Sequence, residues 1–344
     1  MKIAIFTLPL HYNYGGVLQA FALCKTLGDL GNEPYIVEEK KKEWKTLIKN
    51  VVDRNSIKRF ILKEIPYLSF PIINDKIMEE NLFDIAIVGS DQVWKTKNLN
   101  PKYYLSFIRN NKRIKKIAYS ASFGNNLWEC DEAMTSAFKE NLQTFEAISV
   151  REESGVELCE KYLNIDAIWT LDPTMLLSSS SYENLYSKRK LCYPYVYMYI
   201  LGYDYPKTVN IIKSVERKAD VQIRKFHLTR NKILKRIRKT LSIGDWLSFI
   251  HNSEMLITDS FHGCVFAIIF NVPFYVIPNE RGGNSRIDSL LKLFQLTDRL
   301  LTKPIKKYED LKQNNIEWNK VNSILKENRE LSLNFLKKAI ESCN

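Results

Sequence analysis

The chain has 344 residues, a formal charge of +12, six cysteines and four histidines. That length suits two domains better than one core, and no apolar run approaches the roughly 20 residues of a bilayer-spanning helix. The cysteines, at 24, 130, 159, 192, 264 and 343, form no C-x-x-C pair, and the histidines, at 11, 227, 251 and 262, lack metal-ligand spacing; reduced core thiols are expected, and neither a disulfide scaffold nor a zinc module.

The opening MKIAIFTLPL carries one lysine, a short apolar run and no small-residue cleavage site after it. It reads as a first β-strand, 2–7, of a cytoplasmic protein. His11, Tyr12, Asn13, Tyr14, Gly15 and Gly16 form the next loop. Residues 17–30 then read as a helix with Val17, Ala20, Phe21, Leu23, Cys24 and Leu27 on its apolar side, ended by Gly31. A strand at 34–37 follows. This start is Rossmann-type, but G-x-G-x-x-G is absent, which argues against a dinucleotide. Gly15 and Gly16 either admit an anion close to the backbone or simply permit a tight turn. The charged stretch 38–73, broken by Pro66 and Pro71, is expected to form a helical insertion at the domain's edge.

Four further apolar runs, 83–88, 117–119, 145–150 and 168–171, read as strands. Each passes at once into small polar residues: Gly89 to Trp94 after the first, Ser120 to Gly124 after the second, Arg151 to Ser154 after the third, Asp172 to Thr174 after the fourth. If the strands are parallel, one sheet edge gathers Gly15, Gly16, Ser90, Asp91, Gln92, Ser120, Ser122, Arg151 and Asp172, where open α/β sheets bind ligands. Serine and aspartate after a strand also serve as helix caps, a reading that accounts less well for Trp94 and Arg151.

Residues 177–190 read as a linker. The second half then offers strands at 194–201 and 221–228, helices at 206–219 and 244–252, and the stretch 255–278. There a short strand, 255–257, hands over through Thr258, Asp259, Ser260, Phe261, His262 and Gly263 to a buried helix, 264–270, capped by Asn271, and then to a strand at 274–277. His262 thus falls at a strand's carboxyl end beside a helix N-terminus, which favours an anion; a plain capping role stays equally open. A polar loop, 279–286, precedes an amphipathic segment at 287–296, and 320–340 reads as a terminal helix. Residues 217–239 carry ten basic residues against Asp220 alone. They form either a solvated face or an attachment to anionic membrane headgroups. With no recognisable module and no interleaved aromatics, no nucleic-acid partner is expected. The expected architecture is α/β, with Rossmann-like halves at 1–177 and 191–310 facing across a cleft, then a helical segment at 311–344.

N-Y-G-G at 13–16, G-S-D-Q-V-W at 89–94, Y-S-A-S-F-G at 119–124, S-V-R-E-E-S-G at 149–155, L-D-P-T at 171–174 and T-D-S-F-H-G at 258–263 occur in that order. Together they resemble the polysaccharide pyruvyl transferase family over nearly the whole chain. The resemblance implies a GT-B-like fold and transfer of pyruvate from phosphoenolpyruvate onto two hydroxyls of a sugar of a bacterial surface polysaccharide or its precursor. The acceptor would be a sugar or a lipid-linked oligosaccharide. The product is a ketal, phosphate is released, and neither metal nor cofactor beyond the donor is implied. His262 takes the place of the histidine in the family's R-L-H-G segment. Ser260 stands where many members have arginine, and Phe261 replaces the leucine. Arg151 and Arg286 are therefore expected to hold the donor's charges, with Ser260, Gly263, Gly15 and Gly16 beside it. Asn13, Ser90, Asp91, Gln92 and Ser122 are expected at the acceptor, and Asp91 or Glu152 to orient the acceptor or the histidine. Two other readings stay open: a nucleotide-sugar-dependent glycosyltransferase on the same architecture, and a non-catalytic scaffold of a polysaccharide assembly complex.

Overall fold

A computed structural model describes residues 1–10, 13–39, 56–187, 193–202, 205–227, 241–279 and 283–343. The chain divides into two units, Met1–Leu177 with Glu327–Asn344, and Ser178–Lys326. The first holds seven strands, β1 (Lys2–Phe6), β2 (Glu33–Glu39), β3 (Tyr67–Phe70), β4 (Ile85–Gly89), β5 (Lys115–Ala121), β6 (Ala147–Val150) and β7 (Ile168–Trp169), in the spatial order β3-β2-β1-β4-β5-β6-β7. Every pairing is parallel. The second holds β8 (Tyr195–Ile200), β9 (Gln222–His227), β10 (Met255–Thr258) and β11 (Phe274–Val276), ordered β11-β10-β8-β9 and again all parallel. Their central strands are continuous apolar runs, β4 and β10 among them, because a parallel sheet covered on both faces has no solvent side to alternate with.

Most elements lie where the sequence places them, with four departures, two of them strands. Residues 67–70 join the sheet as its edge strand β3 instead of belonging to a helical insertion. Pro66 and Pro71 bracket this strand, a place proline tolerates because it has no N–H to offer the ladder. The N–H of Ile36 takes the Pro66 carbonyl at 2.9 Å. β5 begins at Lys115, inside a run of charges that hides it; Lys116 is buried and its Nζ donates to the Asn111 carbonyl at 2.8 Å. The expected linker is packed structure of the second unit. Tyr182 is fully buried with its ring edge-on to Phe266 at 5.1 Å, and the N–H of Ser187 donates to Ser248 Oγ at 2.9 Å.

The terminal helix Trp318–Glu341 is also not a segment apart. Its residues from 327 onward belong with the first unit. Ser332 Oγ accepts the Leu171 N–H at 3.0 Å. Arg329 donates to the carbonyls of Met175 (2.7 Å) and Leu177 (3.0 Å), and the Phe335 ring lies 6.2 Å from that of Tyr119. No described helix is long and apolar enough to cross a membrane. Of the basic stretch, 228–239 lies outside the described residues, as do His11 and Tyr12.

Candidate functional site

Because all strands of each sheet run one way, their polar tips collect on one edge of that sheet. In the first unit these tips bind chiefly one another. Asn13 caps the helix Tyr14–Asp29, its side chain accepting the Gly16 N–H at 3.1 Å. Gly15 and Gly16 therefore lie in the helix's first turn and not in a preceding loop. A Cβ on Gly16 would stand 3.0 Å from Asn13 Nδ2 and 3.3 Å from Asp91 Oδ2, so glycine there lets the two side chains close over the helix. Asp91 itself has φ 70°, in the left-handed region, and Ser120 has φ 50°. Such backbone costs on the order of 1–3 kcal/mol in a non-glycine residue and persists where surrounding bonds dictate it. Here the Asp91 carboxylate accepts the Gln92 N–H at 2.9 Å, and its carbonyl accepts the Ser122 N–H at 3.1 Å.

Arg151 lies at the centre of this edge, its side chain fully buried. Nη1 is 2.8 Å from Asp172 Oδ2, Nη2 is 3.6 Å from Asp91 Oδ1, and Ser90 Oγ donates to Asp172 Oδ2 at 3.2 Å. The other Asp172 oxygen accepts from Thr174 N and Oγ1 at 3.0 and 2.7 Å. Burial alone would push the guanidinium towards neutrality, but Asp172, Asp91 and Glu152 outweigh it and hold the charge in place. Next to this cluster Glu152 Oε1 accepts from Ser122 Oγ (3.0 Å), Phe123 N (2.7 Å) and Gly124 N (3.2 Å). The network joins β4, β5 and β6 to the segment after β7.

In the second unit the edge is built around β10. Thr258 Oγ1 donates to the Tyr199 carbonyl at 2.6 Å and accepts the Ser260 N–H at 3.1 Å. Asp259 clamps the end of β8: its two oxygens accept the N–H groups of Leu201 and Gly202, each at 2.7 Å. Burial lifts the Asp259 carboxyl above its ordinary 3.8, and those two bonds pull back against the rise. Ser260 caps the helix Phe261–Phe270, with its Oγ accepting the Gly263 N–H at 3.3 Å. The helix starts three residues earlier than the apolar run suggests, which puts His262 in its first turn. His262 keeps 6% exposure, and its ring meets the Phe261 ring edge-on at 5.3 Å. The Arg286 guanidinium lies 5.9 Å from the Phe261 ring centre. Asn284 closes the loop before it, exchanging two hydrogen bonds with the Asn279 backbone at 2.8 and 3.0 Å.

The expected residues thus separate by environment. His262, Ser260, Gly263 and Arg286 share one neighbourhood of the second unit. Ser90, Asp91, Ser122 and Arg151 form a buried network in the first, where Gln92 is half-buried and Asn13 exposed. An anion reaching Arg151 would have to displace Asp172 or Asp91. Sequence reasoning passed over the clamp by Asp259; Gly202, directly after β8 in the strand order that puts β8 beside β10, is the signal that could have found it. Among the described residues no group of three or more His, Cys, Asp or Glu could hold a metal ion.

No curated protein matches the sequence. Solved structures match its fold at low identity. The S. aureus MnaA–UDP structure has a TM-score of 0.55 at 12% identity, covering 94% of this chain and 90% of that one. A Rickettsia africae glycosyltransferase gives 0.55 at 11%, covering 99% and 97%. The UDP-N-acetylglucosamine 2-epimerase of Rickettsia bellii gives 0.55 at 11%, covering 99% and 96%. The fold is accordingly α/β with two Rossmann-like halves of the GT-B kind. The profile of the polysaccharide pyruvyl transferase family matches residues 13–281, which takes in the polar tips of both sheets and the His262 segment; the chain belongs to the polysaccharide pyruvyl transferase family.

Proposed function

We propose that this protein moves the pyruvyl group of phosphoenolpyruvate onto two hydroxyls of a sugar of a surface polysaccharide or its precursor. The reading is supported by one observation above the rest. In a chain of this family, His262 sits buried in the first turn of a helix at a strand's carboxyl end, and both its ring and the Arg286 guanidinium lie beside the Phe261 ring. An imidazole, with an ordinary pKa of about 6.5, suits proton traffic near neutral pH.

The chemistry asks for a proton on the vinyl carbon of the donor, which His262 delivers. The adjoining carbon becomes electrophilic and takes the first sugar hydroxyl, whose proton leaves as the C–O bond forms. Phosphate departs with its bridging oxygen and takes up the proton that the second hydroxyl gives up as it closes the ketal ring, while the first hydroxyl's proton restores that of His262. Arg286, with a planar fork that can meet carboxylate or phosphate bidentately, holds the donor. Ser260 cannot supply the charge that arginine gives at that position in many members; its Oγ caps the helix. Arg151 acts indirectly, keeping the first unit's edge in order through Asp172 and Asp91.

The test is His262→Ala, assayed by phosphate release from phosphoenolpyruvate with acceptor present. Loss of a proton-transfer group should slow kcat by ~10²–10⁴-fold. A variant turning over near the wild-type rate rules out the assignment. A rise in Tm with a nucleotide diphosphate sugar and none with phosphoenolpyruvate would favour a glycosyltransferase instead.

A further inference from the structure

The excess positive charge of the second unit gathers on one surface that the mechanism does not use. The helix Pro206–Lys218 buries Thr208, Ile211, Ile212 and Val215 and leaves Lys207, Lys213 and Arg217 exposed. Far along the chain, residues 303–307 read KPIKK. This segment lies against that helix. The Ile305 N–H donates to Ser214 Oγ at 3.0 Å, the Lys218 ammonium donates to the Lys306 carbonyl, and Ile305 and Tyr308 share one core cluster with Ile211, Ile212 and Val215. With Ile305 and Tyr308 turned inward, Lys303, Lys306 and Lys307 are left exposed. Two segments that no sequence pattern connects thus place their cations together.

The carboxylates of the same elements do not cancel this charge. Glu216 is paired with Lys225, and Asp220 with Lys312 at 3.1 Å; Glu309 and Asp310 remain. Across 206–225 and 303–312 ten cations stand against four carboxylates. The surface needs none of 228–239, which lies outside the described residues.

The kind of charge decides what fits. Exposed ammonium groups on flexible stems hold no single anion in a fixed pose, as a buried fork would; they suit a plane of many negative charges. A nucleic acid would call for arginine forks and for aromatic faces on which bases stack. Pro206–Lys218 has no aromatic residue, and Tyr308, the one aromatic of 303–312, is buried. A protein partner would call for an apolar or aromatic anchor at the centre of the patch, and both segments turn their apolar side chains into the core. We propose that Lys207, Lys213, Arg217, Lys303, Lys306 and Lys307 form a docking surface for the anionic headgroups of a lipid bilayer, holding the second unit to a membrane that no described helix crosses.

The experiment uses the full chain with neither donor nor acceptor, so its outcome is independent of the pyruvyl-transfer reading. The protein is sedimented with sucrose-loaded vesicles of phosphatidylcholine, alone or with about one third phosphatidylglycerol, at about 0.1 M salt. It should pellet with the anionic vesicles only and be released at about 1 M salt, where charges are screened within a few ångströms. Lys213→Gln/Lys306→Gln/Lys307→Gln should weaken partitioning roughly 30- to 100-fold, at about fivefold for each charge lost. Lys25→Gln/Lys161→Gln/Lys337→Gln removes the same charge from exposed positions of the first unit and should weaken it less than about threefold, the distance exceeding the screening length. An unchanged urea midpoint shows that both variants fold. The proposal is overturned if the wild type ignores anionic vesicles or binds neutral ones equally, if the first triple variant binds as the wild type does, or if the second loses as much as the first. Retention on a mixed-sequence RNA duplex, without retention on vesicles, would likewise overturn it and assign the surface to a nucleic acid.

Discussion

Gly263→Ala adds one methyl group and alters no polar group, yet it should destabilise the second unit. The new Cβ would stand 2.6 Å from Thr258 Oγ1, 3.1 Å from its Cγ2 and 3.2 Å from its Cβ. Thr258 is fully buried and cannot turn away without giving up its bonds to Tyr199 and Ser260. Overpacking of this kind costs about 1–3 kcal/mol, and one surrendered hydrogen bond about 1 kcal/mol more. Alanine's better helix propensity returns up to about 1 kcal/mol. The net expectation is a loss of about 1–3 kcal/mol. It is read as a lower urea midpoint at constant slope, with faster hydrogen exchange along Phe261–Phe270. Thr258→Ala/Gly263→Ala should lose less than the sum of its two single variants, because removing the threonine side chain makes room for the methyl. A Gly263→Ala protein as stable as wild type would show that the helix's first turn does not rest on β10.

Two further expectations concern the interior. Asp172→Asn leaves Arg151 buried with Asp91 at 3.6 Å and the charge of Glu152 as its remaining counterions; losing the closest partner of a buried charge should cost up to about 3–5 kcal/mol in urea unfolding, and an unchanged midpoint would contradict the network drawn here. Burial raises the thiols of Cys24 and Cys159 to about 12 and that of Cys264 higher still. At pH 8 all three should escape alkylation in the native protein, as mapped by mass spectrometry, while the half-buried Cys130 and Cys343 react. Labelling of Cys24 at the rate of Cys130 would contradict the packing of the first helix.

The sheets were largely legible because buried parallel strands are short apolar runs bounded by polar turns, and most of the described strands, β1, β4 and β8 among them, announce themselves in this way. β3 did not, since Tyr67 to Phe70 is a half-exposed edge strand lying between prolines and charges. The start of β5 was hidden because a buried lysine at 116 looks exposed in sequence. The return of the terminal helix to the first unit depends on contacts such as Ser332 with Leu171, which no local pattern encodes. At the site, spacing after the strands correctly grouped Ser90, Asp91, Ser122, Arg151 and Asp172 on one edge. It could not distinguish a residue that meets a ligand from one that meets its neighbours. Arg151 is the clearest case, because an arginine after a strand reads as an anion holder until its two carboxylates are seen.

Asp91 has one requirement in its backbone and another in its side chain. The left-handed turn admits glycine or asparagine readily, while the guanidinium of Arg151 asks for an anion. Drift at this position therefore passes through two filters, one of shape and one of charge: glycine and asparagine meet only the first, glutamate only the second. Replacing the aspartate therefore disturbs a turn and an ion pair together, while the closer partner of Arg151, Asp172 at 2.8 Å, stays in place.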